Sequence, residues 1–257
     1  MSQNVTLFHW EPNANSGKPM LALAEKGVKF DSHYLDLLNF DQHDPAYLKI
    51  NPAGTIPAMT HGERMLTEST AIMEYVDEAF DGPALMPSAP VDRWRVRWWM
   101  KFMDQWLAPS FSMLGWNEFI GPAVRARDPK LLEAAIDRIP MVERRVAWRK
   151  AIYNQFSPAE LAESKRRCAI GTQMLEDELT EHKWLGSDDY SLADANGFNL
   201  AYIIPLGQPD MANEEKTPHL MEWLRKIYER PATQAIWTLS RVERMRTRVK
   251  FLAREAA

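Results

Sequence analysis

With one cysteine, Cys168, among 257 residues, the chain has no means of forming an internal disulfide. Its six histidines lie far apart, without an H-x-x-x-H pair or a cysteine-rich cluster, so no metal is expected. There is no G-x-x-x-x-G-K, no G-x-G-x-x-G and no G-x-S-x-G, which removes nucleotide hydrolysis, dinucleotide redox chemistry and serine-esterase chemistry. No apolar run approaches the roughly eighteen residues of a membrane span. The N-terminus lacks the basic and apolar regions of a signal peptide, so a cytoplasmic location is expected. Cationic excess is also missing. The net charge is −4, with five basic and eleven acidic residues among the first 80, and this balance does not suit nucleic acid.

What is present is a chain that is 46% hydrophobic and 26% charged, long enough for two modest domains with real cores. Val5 to His9 reads as a buried strand, Ser16 to Lys26 as a helix with Pro19 in its first turn, and Val28 to Leu37 as a second strand. Ile56 to Thr60 and Met65 to Thr67 flank a hairpin turn, and Ser69 to Phe80 closes the unit as a helix. The segment 82–91, rich in proline and glycine, is the expected linker between a 1–81 α/β domain and an all-helical 92–257 domain. Trp94, Trp98, Phe102 and Trp106 fall near one face of the first long helix, as core or as one wall of an apolar cleft. Ser191 and Asp194 form a capping box, Ser191 capping the N3 amide and Asp194 reaching back. The basic runs Arg144 to Lys150 and Arg241 to Arg254 read as solvated helix faces, and Cys168 as a buried bystander.

The stretch that carries chemistry is Asn51-Pro52-Ala53-Gly54-Thr55-Ile56-Pro57, followed by Glu68-Ser69-Thr70-Ala71-Ile72. Pro57 offers no N–H and its bond to Ile56 is of the kind that can be cis, which would leave the backbone of Ile56 free to pair with an extended ligand. Ser69, capping the next helix, and the first N–H groups of that helix make a site for a carboxylate, with Glu68 beside it for an ammonium. The pattern points to a peptide-thiol site.

In its order of elements and in these motifs the chain resembles the glutathione transferase superfamily. Pro12-Asn13-Ala14-Asn15-Ser16 with Lys18-Pro19, Phe40-Asp41-Gln42-His43, Lys49-Ile50-Asn51-Pro52, Thr67-Glu68-Ser69-Thr70 and Ser112-Met113-Leu114-Gly115-Trp116 are similar to the bacterial beta-etherase branch, which cleaves lignin-type β-aryl ethers. The resemblance implies a thioredoxin-like α/β domain followed by an all-α domain, with glutathione as cofactor and a small aromatic ether as substrate. It further implies a homodimer, or a heterodimer with a related transferase. It assigns Glu68 and Ser69 to the γ-glutamyl end, Ile56 and Pro57 to the cysteinyl part and Gln42 to the glycyl end, with His43 or Lys49 as alternatives. Trp10, Trp106, Trp116, Phe119 and Tyr202 become candidate walls of the substrate pocket, and the segment 121–158 becomes an insertion. Rival readings are another glutathione reaction on small aromatics, or a noncatalytic subunit of a heterodimer.

A glutathione enzyme must supply thiolate, yet a free thiol with pKa about 8.5 is only about 3% ionised at pH 7. The donors that correct this belong in the loop between the first strand and the first helix. The first tyrosine is Tyr34 and no cysteine precedes Cys168, which leaves a hydroxyl or amide type. Asn15 and Ser16 are the candidate catalytic pair, with plain helix capping as the competing reading. His9-Trp10-Glu11 and Gly17 depart from the pattern expected of the etherase branch.

Overall fold

The computed structural model describes residues 4–254, and within them the chain begins with a four-stranded sheet. Strand β1 (Val5–His9) runs parallel to β2 (Asp31–Tyr34) and antiparallel to β3 (Ala58–His61), which pairs in turn with β4 (Arg64–Thr67). The spatial order is therefore β2-β1-β3-β4. Side chains alternate across the sheet, so Val5 and Leu7 face Met20, Leu21 and Ile72 of helices α1 (Ala14–Glu25) and α3 (Ser69–Ala79). Phe8 faces the other way, into a cluster with Leu35, Ala58 and Tyr47 of α2 (Pro45–Ile50). Strand β2 is shorter than its sequence pattern predicts, because Asp31, Ser32 and His33 are exposed at the sheet edge.

From Pro90 on, all regular structure is helical. Helix α4 (Pro90–Phe102) passes through a π turn (Met103–Leu107) into α5 (Ala108–Gly115), then through a second π turn (Trp116–Ile120) into α6 (Gly121–Arg125). Such turns rotate the side chains that follow, and they recur at functional positions. Helices α7 (Pro129–Asp137) and α8 (Val142–Ile152) come next, then the 24-residue α9 (Pro158–Glu181), α10 (Leu192–Ala201) and α11 (Ile204–Gly207). The chain continues through α12 (Pro218–Tyr228), α13 (Pro231–Trp237) and α14 (Glu243–Arg248).

One apolar core runs from Leu7 and Met20 through Met103 to Phe198 and Trp223, so the seam between sheet and helices is packed like an interior. The capping box at Ser191 is present: Asp194, fully buried, accepts from the N–H groups of Ser191 and Leu185 and from the indole of Trp223 at 2.8–2.9 Å. Cys168 is buried, and burial pushes its thiol up to about 12, which keeps it inert. The residues 121–152 are no loose excursion. Val124, Leu132, Ile136, Ile139, Trp148 and Ile152 form a second core that closes on Phe40 of the sheet domain.

Candidate active site

Strand register brings three segments to one end of the sheet. Phe8 pairs with Ala58 and Ala58 with Thr67, so the loop leaving β1, the Ile56-Pro57 turn entering β3 and the Glu68-Ser69 pair leaving β4 are neighbours. The Ile56–Pro57 bond is cis.

At the first segment, helix α1 begins at Ala14, two residues before the predicted start, and Asn13 occupies the N-cap without a side-chain cap bond. Pro19 therefore lies inside the helix, not in its first turn, and its missing N–H leaves the carbonyl of Asn15 without the usual helical partner. Neither Asn15 nor Ser16 caps the helix. The buried Ser16 hydroxyl accepts the backbone N–H of Trp10 at 3.1 Å, which keeps its own proton available for a further acceptor. The side chain of Asn15 is exposed, with no hydrogen bond among the described residues.

The two departures in this loop have structural reasons. Glu11, fully buried, accepts from the Tyr34 hydroxyl at 2.8 Å, from the Ser240 hydroxyl, and from the N–H groups of Arg241 and Val242 at 3.1 and 3.2 Å. It ties the loop to the C-terminal segment. At Gly17 a Cβ would lie 1.9 Å from Oδ1 of Asn199, so only glycine lets α1 approach α10 this closely.

The third segment differs from the capping expected of Ser69. Glu68 holds the N-cap, at φ 69° and ψ 105°, and Ser69 is the first helical residue; no side chain caps α3. The leading N–H groups of α3 stay open to an incoming carboxylate. A non-glycine residue in this left-handed region is strained by roughly 1–3 kcal/mol, which is tolerated where a side chain must point at a ligand.

Gln42 and His43 line the remaining side, both buried. Oε1 of Gln42 and Nδ1 of His43 lack hydrogen-bond partners among the described residues. Burial, with Arg144 and Arg138 nearby, pushes the His43 imidazole down to about 4, so it is neutral at pH 7. Lys49 is exposed at the end of α2. Orphaned buried polar atoms at Gln42 and His43, an open helix start at Ser69 and a preorganised hydroxyl at Ser16 together suit a peptide with two carboxylates and a thiol, which is what glutathione presents.

The five aromatic candidates divide. Trp10 is buried beside Ser16, with its indole N–H unpartnered among the described residues. The Tyr202 hydroxyl accepts from Nδ2 of Asn13 at 3.2 Å, and Arg248, whose charge acts on Tyr202, lies 5.1 Å from the ring of Phe119. Arg244 approaches the same ring at 5.5 Å, and Met245 Sδ lies 3.5 Å from Asn13. Phe119 and Tyr202 are thus both linked to α14, the first directly and the second through Asn13. Trp116 leans on Trp148 at 4.7 Å, toward the second core. Trp106 is not brought to the cleft: its indole donates to the carbonyl of Arg167 at 3.0 Å and stacks under that guanidinium, because the first π turn directs it at α9. The stripe it ends, through Phe102 to Trp98, leads away to solvent, where Trp94 is 62% and Trp98 40% exposed.

In the basic run from Arg241 most cations are exposed, as a solvated face requires, yet Arg241 also covers the ring of Tyr34 at 4.3 Å and Arg244 and Arg248 cover Phe119; Arg144 of the other run is half-buried. Nothing in the local sequence marks Arg248 and Met245 as neighbours of Tyr202 and Asn13, or Glu11 as a partner of the C-terminal segment.

Comparison with known proteins bears on this geometry. The glutathione S-transferase N-terminal domain family matches residues 3–78, and the glutathione S-transferase C-terminal domain family matches residues 133–231. Protein LigF of Sphingobium sp. (strain NBRC 103272 / SYK-6) is 35% identical over 245 residues, 92% of this chain and 94% of that protein. The crystal structure of beta-etherase LigF from Sphingobium sp. strain SYK-6 superposes with a TM-score of 0.88 at 34% identity, covering 93% of this chain and 100% of that one. Glutathione S-transferase F9 of Arabidopsis thaliana is 27% identical over 223 residues, 85% of this chain and 90% of that protein.

Proposed function

The chain belongs to the glutathione S-transferase family and is an enzyme of glutathione-transferase type, and from that premise we propose that it cleaves β-aryl ether bonds of lignin-derived aromatics. The observation that carries this reading is the end-to-end likeness to the beta-etherase LigF, at 35% identity over 92% of the chain.

Bound glutathione supplies the thiolate: its S–C bond to the substrate forms as the C–O bond to the aryloxy group breaks, the phenolate leaves with the bonding pair, and a glutathione thioether remains. In this reading the Ser16 hydroxyl and the Asn15 amide donate to the sulfur at the positive end of α1. Lowering a thiol pKa by about two units takes roughly 2.7 kcal/mol. A hydrogen bond to a charged group, at about 1.5–3 kcal/mol, plus a helix terminus at about 0.3–1 kcal/mol, reaches that figure. Glu68 takes the γ-glutamyl ammonium, while Ser69 and the open N–H groups of α3 take its carboxylate. The Ile56 backbone, set by Pro57, pairs with the cysteinyl unit, and Gln42 holds the glycyl end. Phe119, Tyr202, Trp10 and Trp116 wall the aromatic substrate. The exposed Trp94 and Trp98 of α4 support a dimer, with itself or with a related transferase. We place the enzyme in the cytoplasm.

The test is incubation of the purified protein with glutathione and each enantiomer of a guaiacyl α-keto β-aryl ether. Equimolar guaiacol and glutathione thioether from at least one enantiomer, dependent on glutathione, is the expected result. Turnover appearing only after mixing with a related chain would make this protein a noncatalytic subunit, and none under either condition would overturn the etherase reading.

A further inference from the structure

We propose that Arg144, carried by helix α8, closes over bound glutathione and pairs with its glycyl carboxylate. The inference rests on the reading of residues 42–69 as the glutathione site and adds to it a residue from outside the sheet domain.

Packing fixes where α8 sits. The ring of Trp148 lies 4.8 Å from that of Phe40, and Phe40 lies 5.9 Å from the imidazole of His43. Arg144 is one turn before Trp148 on the same helix, at the i, i+4 spacing that places two side chains on one face. The loop entering α8 approaches from the same direction. A Cβ on Gly54, at φ +60°, would lie 2.8 Å from the His43 ring and 3.2 Å from Cδ of Pro140. Arg144 therefore stands over the rim formed by residues 42, 43 and 54.

The other arginines between positions 138 and 149 are engaged. Arg138 pairs with Asp44 at 3.7 Å, Arg145 donates to the carbonyl of Ile139 at 3.0 Å, and Arg149 bridges Glu133 and Asp137 at 2.9 and 2.8 Å. Arg144 has no hydrogen bond and no ion pair among the described residues, although it is half-buried and the charge of Glu68 acts on it. A guanidinium stays charged under all ordinary conditions, so a half-buried one without a counter-ion offers its charge and its donors to a ligand carboxylate. The groups facing it at the glycyl end cannot supply that charge balance. Gln42 is neutral, His43 is neutral at pH 7, and each keeps an unpartnered polar atom while being 3% and 1% exposed. A carboxylate entering between them meets two cations that act on His43, Arg144 and Arg138; Arg138 is already paired with Asp44, and Lys49 is exposed on the far end of α2, which leaves Arg144 as the one without a counter-ion among the described residues. The charge of Arg144 acts on His43, and that of Glu68 acts on Arg144, so the guanidinium is on the side of the sheet domain that carries both.

Calorimetry on the full chain tests this with three ligands: glutathione, γ-glutamylcysteine, which lacks the glycine, and glutathione esterified at its glycyl carboxyl. Arg144→Ala should weaken glutathione binding about 10- to 100-fold, the value of a hydrogen-bonded charge pair. Its affinity for the two ligands without a glycyl carboxylate should stay within about twofold of wild type, so the preference for glutathione collapses. The ester arm uses the wild-type protein alone and is independent of how the variant folds: wild type should bind the ester about as weakly as the variant binds glutathione. Equal weakening of all three ligands in the variant, or a wild type indifferent to esterification, would overturn the role of Arg144 while leaving the glutathione site intact. A wild type that binds none of the three would overturn the site reading itself, and this inference with it.

Discussion

Nζ of Lys18 lies 2.5 Å from Oδ1 of Asp104, and the lysine side chain has no exposure to solvent. Asp104 also accepts from Nδ2 of Asn196 at 3.3 Å and from the Thr70 hydroxyl, so α1, α3, the first π turn and α10 meet at one carboxylate across the domain seam. Burial lowers the lysine pKa and Asp104 opposes that shift. Breaking a buried pair from one side strands a charge, at about 3–5 kcal/mol. Asp104→Ala should therefore lower unfolding stability by that amount in urea, whereas Lys18→Met with Asp104→Leu should cost less than the single change. A double variant weaker than Asp104→Ala would refute the pair as the source.

Glu68 offers a separation of strain from binding. Its φ of 69° suits glycine, so Glu68→Gly should raise stability by up to about 1 kcal/mol while losing the partner of the γ-glutamyl ammonium. Glu68→Ala together with Ser69→Ala, which keeps the strain, should weaken glutathione binding by about 100-fold or more. Calorimetry and thermal unfolding of the same preparations check both halves, and unchanged affinity in the folded double variant would sink the site assignment.

Ser16 is set by the N–H of Trp10 whereas Asn15 is exposed, so the serine should dominate thiolate stabilisation. Loss of one preorganised donor is worth roughly 2–4 kcal/mol. Ser16→Ala should raise the pKa of bound glutathione and lower turnover by about two orders of magnitude, with glutathione affinity far less affected. Asn15→Ala should act in the same direction and non-additively. Thiolate absorbance against pH decides the matter, and wild-type titrations in both variants and in the double would mean that the thiolate is stabilised elsewhere.

Acid should destabilise the fold through His43. Its imidazole sits at about 4 in the folded chain against 6.5 as the ordinary value, so the unfolded chain takes the proton first as pH falls. The contribution is complete above pH 6.5 and is lost as pH drops through 4, on the order of 3 kcal/mol. Urea unfolding between pH 7 and pH 4.5 should show a slope in wild type that His43→Gln flattens, and equal slopes would contradict the assignment.

What the amino-acid sequence determined by itself is what is encoded within a turn or a helix period. The Ile56-Pro57 turn, the Glu68-Ser69 helix start, the Ser191–Asp194 box and the helical character beyond Pro90 are each set by residues a few positions apart, where backbone sterics and capping act. Even there the sequence misplaced the caps, because Ser16 turned to the N–H of Trp10 and Glu68 took the position predicted for Ser69. Only the tertiary structure decided which side chains converge. Two π turns swung Trp106 to α9 and Phe119 to α14, and Glu11 reached the N–H groups of Arg241 and Val242 across more than two hundred residues. Arg144 and Arg149 belong to one basic run and look alike as sequence, yet one stands over the His43 rim and the other faces Glu133 and Asp137. The docking of Trp148 on Phe40 separates them, since burial and the distance between charges, which set the energy of a cation, are properties of the packed chain.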